Sequence, residues 1–198
     1  MRIRVLGAAL FSVGLAIAPA LATQISSSSD TFEIYGGLDN SPTKQPRTHY
    51  HGMRTVEFAT ELPPGSIIVQ TYARKLYYVL PGGKAIEYGV GVGLEGSTWS
   101  GTDKVTRKAE WPEWRPPRIM IEREAVKGHY IPQYMPGGPD NPLGARALYI
   151  GDTEYRIHGT SQPWSIGLAV SSGCIRMLNQ EVIDLYNRVQ VGAQVVVQ

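Results

Sequence analysis

Hydrophobic and β-branched residues are concentrated in short runs from Leu62 onward, and Gly and Pro clusters separate these runs. The runs IIVQTY (67–72), KLYYVL (75–80) and AIEYGVGV (85–92) are typical of strands, and the turn sequence PGGK (81–84) joins the last two. This pattern predicts consecutive antiparallel strands at the beginning of a mainly β domain.

The same alternation returns near the carboxyl end. Residues 147–150 and 155–158 are predicted strands around the turn GDT, and residues 194–197 form a predicted last strand. Between them, Asn179 is a candidate N-cap for a short helix whose apolar positions follow a helical period: Val182, Ile183, Tyr186 and Val189. The chain is therefore expected to be mainly β, with one or two short helices.

Residues 109–145 are rich in Pro, Gly and Trp and are predicted to be loop-like, as in AEWPEWRPP (109–117). We expect this segment to form a lid or a cleft wall, with Trp111 and Trp114 lining the substrate cleft. The alternative is that the two indoles fill a hydrophobic gap at the rim of the domain.

The first residues predict export. Arg2 and Arg4 precede an apolar stretch, and Ala20-Leu21-Ala22 is a small-x-small cleavage site, so residues 1–22 are interpreted as a signal peptide. Residues 23–61 are expected to be a tether and lead-in, and residues 62–198 the functional domain. Because residues 1–22 contain two arginines and no acid, the remainder carries equal numbers of basic and acidic residues, and no basic bias indicates nucleic acid.

Two motifs that could bind a cofactor or a metal are weak. GVGLEG (91–96) fits a dinucleotide fingerprint, but the residues after it do not predict a helix whose N-terminus could hold a pyrophosphate. His49 and His51 could begin a zinc site, but no third ligand has a telling spacing. We therefore expect no cofactor and no metal.

Cys174 is the only cysteine in the chain, within SSGCIRM (171–177). In an exported protein a single thiol is either inert, paired with another molecule, or a reactive nucleophile. His158 precedes it by 16 residues at the end of a predicted strand, and an imidazole can convert a thiol to the reactive thiolate. The spacing alone leaves all three alternatives open.

The combination of HGT (158–160), SSGCIRM and an Asn-started helix resembles the L,D-transpeptidase catalytic domain, the YkuD-like domain of bacterial cell-wall enzymes. The resemblance covers most of residues 62–198. It implies mixed β-sheets that form a sandwich or a barrel. Many members have histidine at the position of Ser172, so this chain departs from the family pattern there.

The resemblance also implies a reaction. Cys174 would attack the peptide stem of peptidoglycan between its third residue, a diamino acid, and D-Ala, and His158 would donate and accept protons. The Gly159 carbonyl would orient the His158 ring, the Gly173 N–H would bind the oxyanion, and Ser172 would contact substrate. Arg176 would either contact a carboxylate of the stem or brace the loop.

The acceptor implied by the resemblance is a second stem, a lipoprotein lysine or a free D-amino acid, in the periplasm of a Gram-negative bacterium. Hydrolysis of the same bond, and a catalytically idle wall-binding module, are the alternative functions. The oligomeric state is not predicted.

Overall fold

The computed structural model describes Tyr50, residues 52–95 and residues 97–198. The predicted signal peptide, most of the predicted tether, and both His49 and His51 lie outside these residues. Within the described residues, no helix is long and apolar enough to cross a membrane.

The described chain is mainly β, as the sequence predicts. It contains eleven strands and two α-helices, in the order β1 (Arg54–Glu57), β2 (Ile67–Gln70), β3 (Lys75–Leu80), β4 (Lys84–Gly89), β5 (Val92–Gly93), β6 (Gly101–Glu110), α1 (Arg118–Val126), β7 (Arg146–Ile150), β8 (Arg156–His158), β9 (Ala169–Ser171), β10 (Ile175–Arg176), α2 (Asn179–Arg188) and β11 (Gln194–Val197). A short 3-10 helix, Pro163–Ser165, lies between β8 and β9.

Nine strands form one mixed sheet in the order β1-β4-β3-β2-β11-β6-β7-β8-β10, and β5 pairs with β9 separately. Strand β6 belongs to both halves of the large sheet, because residues 101–104 pair with β11 and residues 105–110 pair with β7. The register shifts between Val105 and Arg107, an irregularity of the kind that bends a strand. The prediction of a sandwich is confirmed, whereas the alternative of a barrel is wrong, since the sheet does not close.

The main core lies between the sheet and α2. Leu148 on β7, Ile157 on β8 and Ile175 on β10 are buried there against Val182 and Leu185 of α2. A burial of this kind stabilises the fold by about 1.5–3 kcal/mol for each large apolar side chain. Because side chains alternate across a strand, the neighbouring residues of β7, β8 and β10 face away from this core.

The prediction that residues 109–145 are loop-like is partly wrong. Strand β6 continues to Glu110, and α1 occupies residues Arg118–Val126 after two prolines. The buried residues of α1 are Met120 and Glu124, one of them a charge, so no apolar period identifies the helix. Met120 packs with Trp114, Ile131 and Leu143 in a small second core.

Candidate active site

Parallel pairing of β8 and β10 brings His158 and Cys174 together. Ile175 is opposite Ile157, and Arg176 is opposite His158. Cys174 immediately precedes β10 and is therefore one register position from Ile175, diagonal to His158. Since Ile157 and Ile175 enter the core, alternation directs the side chains of Arg156, His158, Cys174 and Arg176 to the opposite face.

These four side chains line one pocket of about 250 Å³. Its other lining residues form an apolar wall and a polar rim: Trp114, Arg115, Pro117, Met120, Leu143, Glu154, Tyr155, Ser171 and Ser172. We call this the thiol pocket. It contains a thiol, an imidazole and several cations, which are candidates for a nucleophile, a base and anion-binding groups.

The turn before Cys174 is fixed by Ser171 and Gly173. The Ser171 hydroxyl donates to the Cys174 carbonyl oxygen at 2.6 Å and accepts from the Gly173 N–H at 3.2 Å. Gly173 has a φ of 123°, and a Cβ there would lie 2.6 Å from the Ser97 carbonyl oxygen. Only glycine fits this position without strain. An oxyanion role for the Gly173 N–H would require this donor to leave the Ser171 hydroxyl.

His158 is buried, and its Nδ1 lies 2.6 Å from the Gly159 carbonyl oxygen. A carbonyl oxygen only accepts, so Nδ1 carries the proton of the neutral ring and Nε2 is the basic nitrogen. Burial, followed by the charges of Arg176 and Arg156, lowers the pKa of His158 to about 3. The imidazole is therefore neutral at neutral pH and able to accept a proton.

The Cys174 thiol is partly buried, and its Sγ lies 3.9 Å from the Glu154 carbonyl oxygen. Burial raises the pKa of Cys174, although the Arg156 charge and the Arg156 backbone N–H act in the opposite direction. The resting pair is consequently a neutral thiol beside a neutral imidazole.

Arg176 is buried at the back of the thiol pocket, where its Nη1 donates to Gln162 Oε1 at 3.2 Å. The sequence leaves two roles open for Arg176, contact with a substrate carboxylate and support of the loop. The geometry is compatible with both, because the guanidinium lines the pocket and also contacts the loop after His158.

Asn179 does not cap α2, contrary to the prediction. It is the first helical residue, and the N-cap position is Leu178, which has no side-chain cap. The Asn179 Oδ1 instead accepts from the N–H groups of Ala145 at 3.0 Å and Thr160 at 3.2 Å, and its Nδ2 donates to the Thr160 carbonyl at 3.1 Å. The residue therefore ties α2 to the loop that follows His158.

The structure separates the two tryptophans that were expected to line the cleft. Trp114 is 3% exposed and lines the thiol pocket, while also belonging to the second core. Trp111 is 45% exposed and lines a second cavity that shares Arg115 and Arg156 with the thiol pocket, and its expected place in the substrate cleft stays a prediction. Ser172 lines the thiol pocket, and its hydroxyl accepts from Arg123 Nη2 at 3.4 Å.

Sequence reasoning missed Arg156, whose charge acts on both His158 and Cys174. It lies two residues before His158 on the same strand, so the period-2 alternation of β8 could have identified it. Arg115 and Leu143 were also missed, and no local pattern places either of them at the pocket. In the part of the chain that the structure describes, no three His, Cys, Asp or Glu side chains converge as metal ligands.

Comparison with known proteins agrees with this geometry. The L,D-transpeptidase catalytic domain (YkuD) family model matches residues 64–197. The probable L,D-transpeptidase ErfK/SrfK of Escherichia coli K12 is 40% identical over 134 residues, which are 65% of this chain and 42% of that protein. This chain thus matches less than half the length of that relative.

Two solved structures share the fold. The catalytic domain of an Enterococcus faecium L,D-transpeptidase acylated by ertapenem has a TM-score of 0.52 and 21% identity, covering 70% of this chain and 100% of its own. A Brucella melitensis protein named a probable carnitine operon oxidoreductase has a TM-score of 0.50 and 42% identity, covering 80% of this chain and 99% of its own. The family model matches most of the sequence and the E. coli relative agrees with it, so this chain belongs to the L,D-transpeptidase catalytic domain family.

Proposed function

We propose that this protein is a cysteine L,D-transpeptidase that acts on peptidoglycan stem peptides. The observation that carries the proposal is the placement of Cys174 diagonal to His158 across the β8–β10 pair, inside one pocket. The family membership supports the reaction class, and the cations of the pocket suit an anionic peptide.

The first half-reaction forms a thioester. Neutral His158 accepts the thiol proton as the Cys174 sulfur attacks the carbonyl between the diamino acid and D-Ala. A tetrahedral oxyanion forms and is stabilised by backbone N–H groups of the 172–174 turn. When the intermediate collapses, the C–N bond breaks, and the protonated imidazole returns its proton to the departing amine of D-Ala.

The second half-reaction consumes the thioester. An acceptor amine attacks the carbonyl, His158 takes a proton from that amine, and the sulfur leaves as the thiol. A second stem would give a cross-link between two diamino acids, and a lipoprotein lysine would give a protein anchored to the wall. Water in place of the amine would make the enzyme an L,D-carboxypeptidase.

We also propose that the protein is exported and works in the periplasm of a Gram-negative bacterium. The basic and apolar segments of residues 1–22 support export, and they lie outside the described residues. The substrate supports the same location, since the peptidoglycan stem lies outside the cytoplasmic membrane.

Intact-protein mass spectrometry with purified tetrapeptide stems tests this function. The wild-type protein should gain the mass of the tripeptide acyl group and release free D-Ala, whereas Cys174→Ser should gain none and keep the wild-type melting temperature. Analysis of the muropeptide products then identifies the acceptor. Normal turnover by Cys174→Ser, or no acylation of the wild type, would contradict the proposal.

A further inference from the structure

A row of three side chains crosses the sheet toward Cys174. Arg107 on β6 is directly opposite Tyr149 on β7, and Tyr149 is directly opposite Arg156 on β8. Cys174 takes the next place in the same row, because it precedes the Ile175–Ile157 pair by one residue. At about 4.8 Å for each strand, Arg156 is one strand spacing from the cysteine and Arg107 is three.

This row forms part of a second cavity of about 550 Å³, which we call the Arg107 cavity. Arg115 and Arg156 line both this cavity and the thiol pocket, so the two are adjacent. The remaining lining residues are Arg107, Ala109, Glu110, Trp111, Pro112, Glu113, Tyr134, Gly137 and Tyr149.

The acidic side chains of the Arg107 cavity are already ion-paired. Glu113 pairs with Arg115 at 3.1 Å, and Glu110 pairs with Arg146, also at 3.1 Å. At least one side chain of each pair is exposed to solvent, so each ion pair contributes little to stability. Their effect here is that these carboxylates leave Arg107 and Arg156 available to other anions.

Arg107 and Arg156 are held by an aromatic ring instead of by carboxylates. The Arg107 guanidinium lies 3.5 Å from the Tyr149 ring centroid, and that of Arg156 lies 5.4 Å from it. Arg156 also donates two hydrogen bonds to the Glu154 carbonyl oxygen. Among residues 52–95 and 97–198, neither guanidinium is ion-paired with a carboxylate, and a planar guanidinium is suited to bind one in bidentate fashion.

Trp111, at one side of the cavity, has a strained backbone. Its φ of 41° is rare for a bulky residue, and a Cβ on Gly137 would collide with its carbonyl oxygen. The Trp111 N–H donates to the Ala145 carbonyl at 2.9 Å, which helps to hold this conformation. Strain of this kind is found more often at ligand-binding sites than elsewhere, and here it keeps a half-exposed indole beside the two arginines.

We propose that the Arg107 cavity is a carboxylate subsite, in which Arg107 and Arg156 bind a carboxylate of a peptide that reacts at Cys174. Trp111 covers an apolar part of the same peptide. The identity of the peptide as a wall stem rests on the proposed function. The carboxylate comes from either the acyl donor or the amine acceptor, and the two sources give different results in the experiment below.

The test measures binding with a pair of ligands that differ only in charge. Calorimetric titration of the Cys174→Ala protein uses a tetrapeptide stem with free carboxylates and the same peptide with carboxamides. Arg107→Gln should weaken binding of the free acid about tenfold and leave binding of the amide unchanged, because one charge-assisted contact is lost. Arg107 is exposed and does not line the thiol pocket, so the substitution leaves the core and Cys174 intact.

Arg118→Gln is the matched control, since Arg118 is also an exposed arginine, lies on α1, pairs with Glu122 and lines neither cavity. It should bind both peptides as the parent does. Arg107→Lys should keep part of the preference for the free acid. If Arg107→Gln affects the acid and the amide equally, or affects neither, the carboxylate subsite is refuted.

Kinetics with Cys174 present then identify the source of the carboxylate. If it belongs to the donor, Arg107→Gln slows thioester formation from the acid but not from the amide. If it belongs to the acceptor, thioester formation is unchanged, and transfer to a carboxylate-bearing amine falls relative to hydrolysis. If the wild type forms no thioester, the proposed function is refuted. The calorimetric comparison of the free acid with the amide tests the carboxylate subsite independently of that result.

Discussion

Glu124 provides a strong test of how α1 is held beside the active site. Its carboxylate is 2% exposed and is contacted by three side chains: Arg123 Nε at 3.0 Å, Lys127 Nζ at 3.0 Å and His129 Nδ1 at 3.2 Å. Burial raises the pKa of this carboxyl, but the three hydrogen-bonded partners outweigh it and lower the pKa to about 2 from an ordinary 4.5. The charged form is therefore stabilised in the folded protein.

The size of this stabilisation follows from the pKa difference. Each tenfold change in proton affinity corresponds to about 1.4 kcal/mol, so the carboxylate contributes about 3 kcal/mol. Arg123 and Lys127 are about half exposed, and solvent screening reduces the value. We expect Glu124→Gln to lower the free energy of unfolding by about 2 kcal/mol at pH 7, or the melting temperature by about 4–8 °C.

The pH dependence gives a second measure of the same contribution. Because the folded pKa of Glu124 is depressed, its stabilisation is fully present above about pH 4.5 and is lost as the pH falls toward 2. Urea unfolding at pH 7, 5 and 3 should thus show a gap between the wild type and Glu124→Gln that is constant at the two higher values and smaller at pH 3.

Glu122→Gln is the control for this experiment. Glu122 lies on the same helix, but it is exposed, and within the described part of the chain its ion pair is with Arg118, at i and i+4. Its loss should cost no more than about 0.5 kcal/mol. Equal stability of the two variants, or a gap that does not narrow at pH 3, would refute the role of Glu124.

Three further predictions concern the pocket itself. His158→Gln should slow acylation of Cys174 by about 10²–10⁴-fold with an unchanged melting temperature. Because the pKa of His158 is lowered to about 3, protonation of His158 should not reduce the wild-type acylation rate between pH 7 and 5. A fall in that rate with a midpoint near pH 6.5 would contradict the burial of the ring. Trp114→Ala should destabilise the protein by about 3–5 kcal/mol in chemical denaturation, whereas Trp111→Ala, at an exposed position, should cost less than about 1 kcal/mol; equal losses would show that both rings are core residues. Gly173→Ala should reduce acylation and stability together, since its φ of 123° and the nearby Ser97 carbonyl exclude a Cβ, and wild-type acylation rates in this variant would disprove the tight turn.

The elements that the sequence predicts well are those that bury apolar side chains. Residues 67–70, 75–80 and 147–150 are rich in Val, Ile, Leu and Tyr, and all three runs are strands. The helix from Asn179 and the last strand also begin where predicted. Hydrophobic periodicity reports burial, so it succeeds where burial is apolar.

The sequence does not predict elements that bury few apolar residues, and it does not predict which of several possible backbone partners a polar side chain binds. Strand β6 has a single buried residue, Val105, within ten mostly charged or threonine positions, and therefore shows no alternation. Asn179 has the residue type of a cap, but its amide bonds the loop after His158 instead. The local sequence indicates that the Asn179 amide will form hydrogen bonds with backbone groups, but which backbone groups it contacts depends on the tertiary structure.

The sequence indicates which residue types form the centre of the candidate site, but not how far the site extends across the sheet. The motif around Cys174 and the HGT at His158 identify two residues that line the same pocket, and their catalytic roles stay a prediction. The row of Arg107, Tyr149 and Arg156 was not foreseen, because it depends on the register of three strands whose members are far apart in sequence. Where two strands are not joined by a tight turn, a single sequence does not indicate which of their residues lie opposite each other.

The position of β11 has a consequence for how the chain reaches this structure. Strand β11, Gln194–Val197, lies between β2 and β6 and, among the strands that the structure describes, joins the two halves of the large sheet. Because β11 follows β2 and β6 in the chain, a ribosome makes these two strands before the neighbour with which both of them pair. The unpaired edges of β2 and β6 would be open to misassembly during that interval, and the arrival of β11, rather than the collapse of any single hairpin, would set the moment at which the sheet becomes continuous.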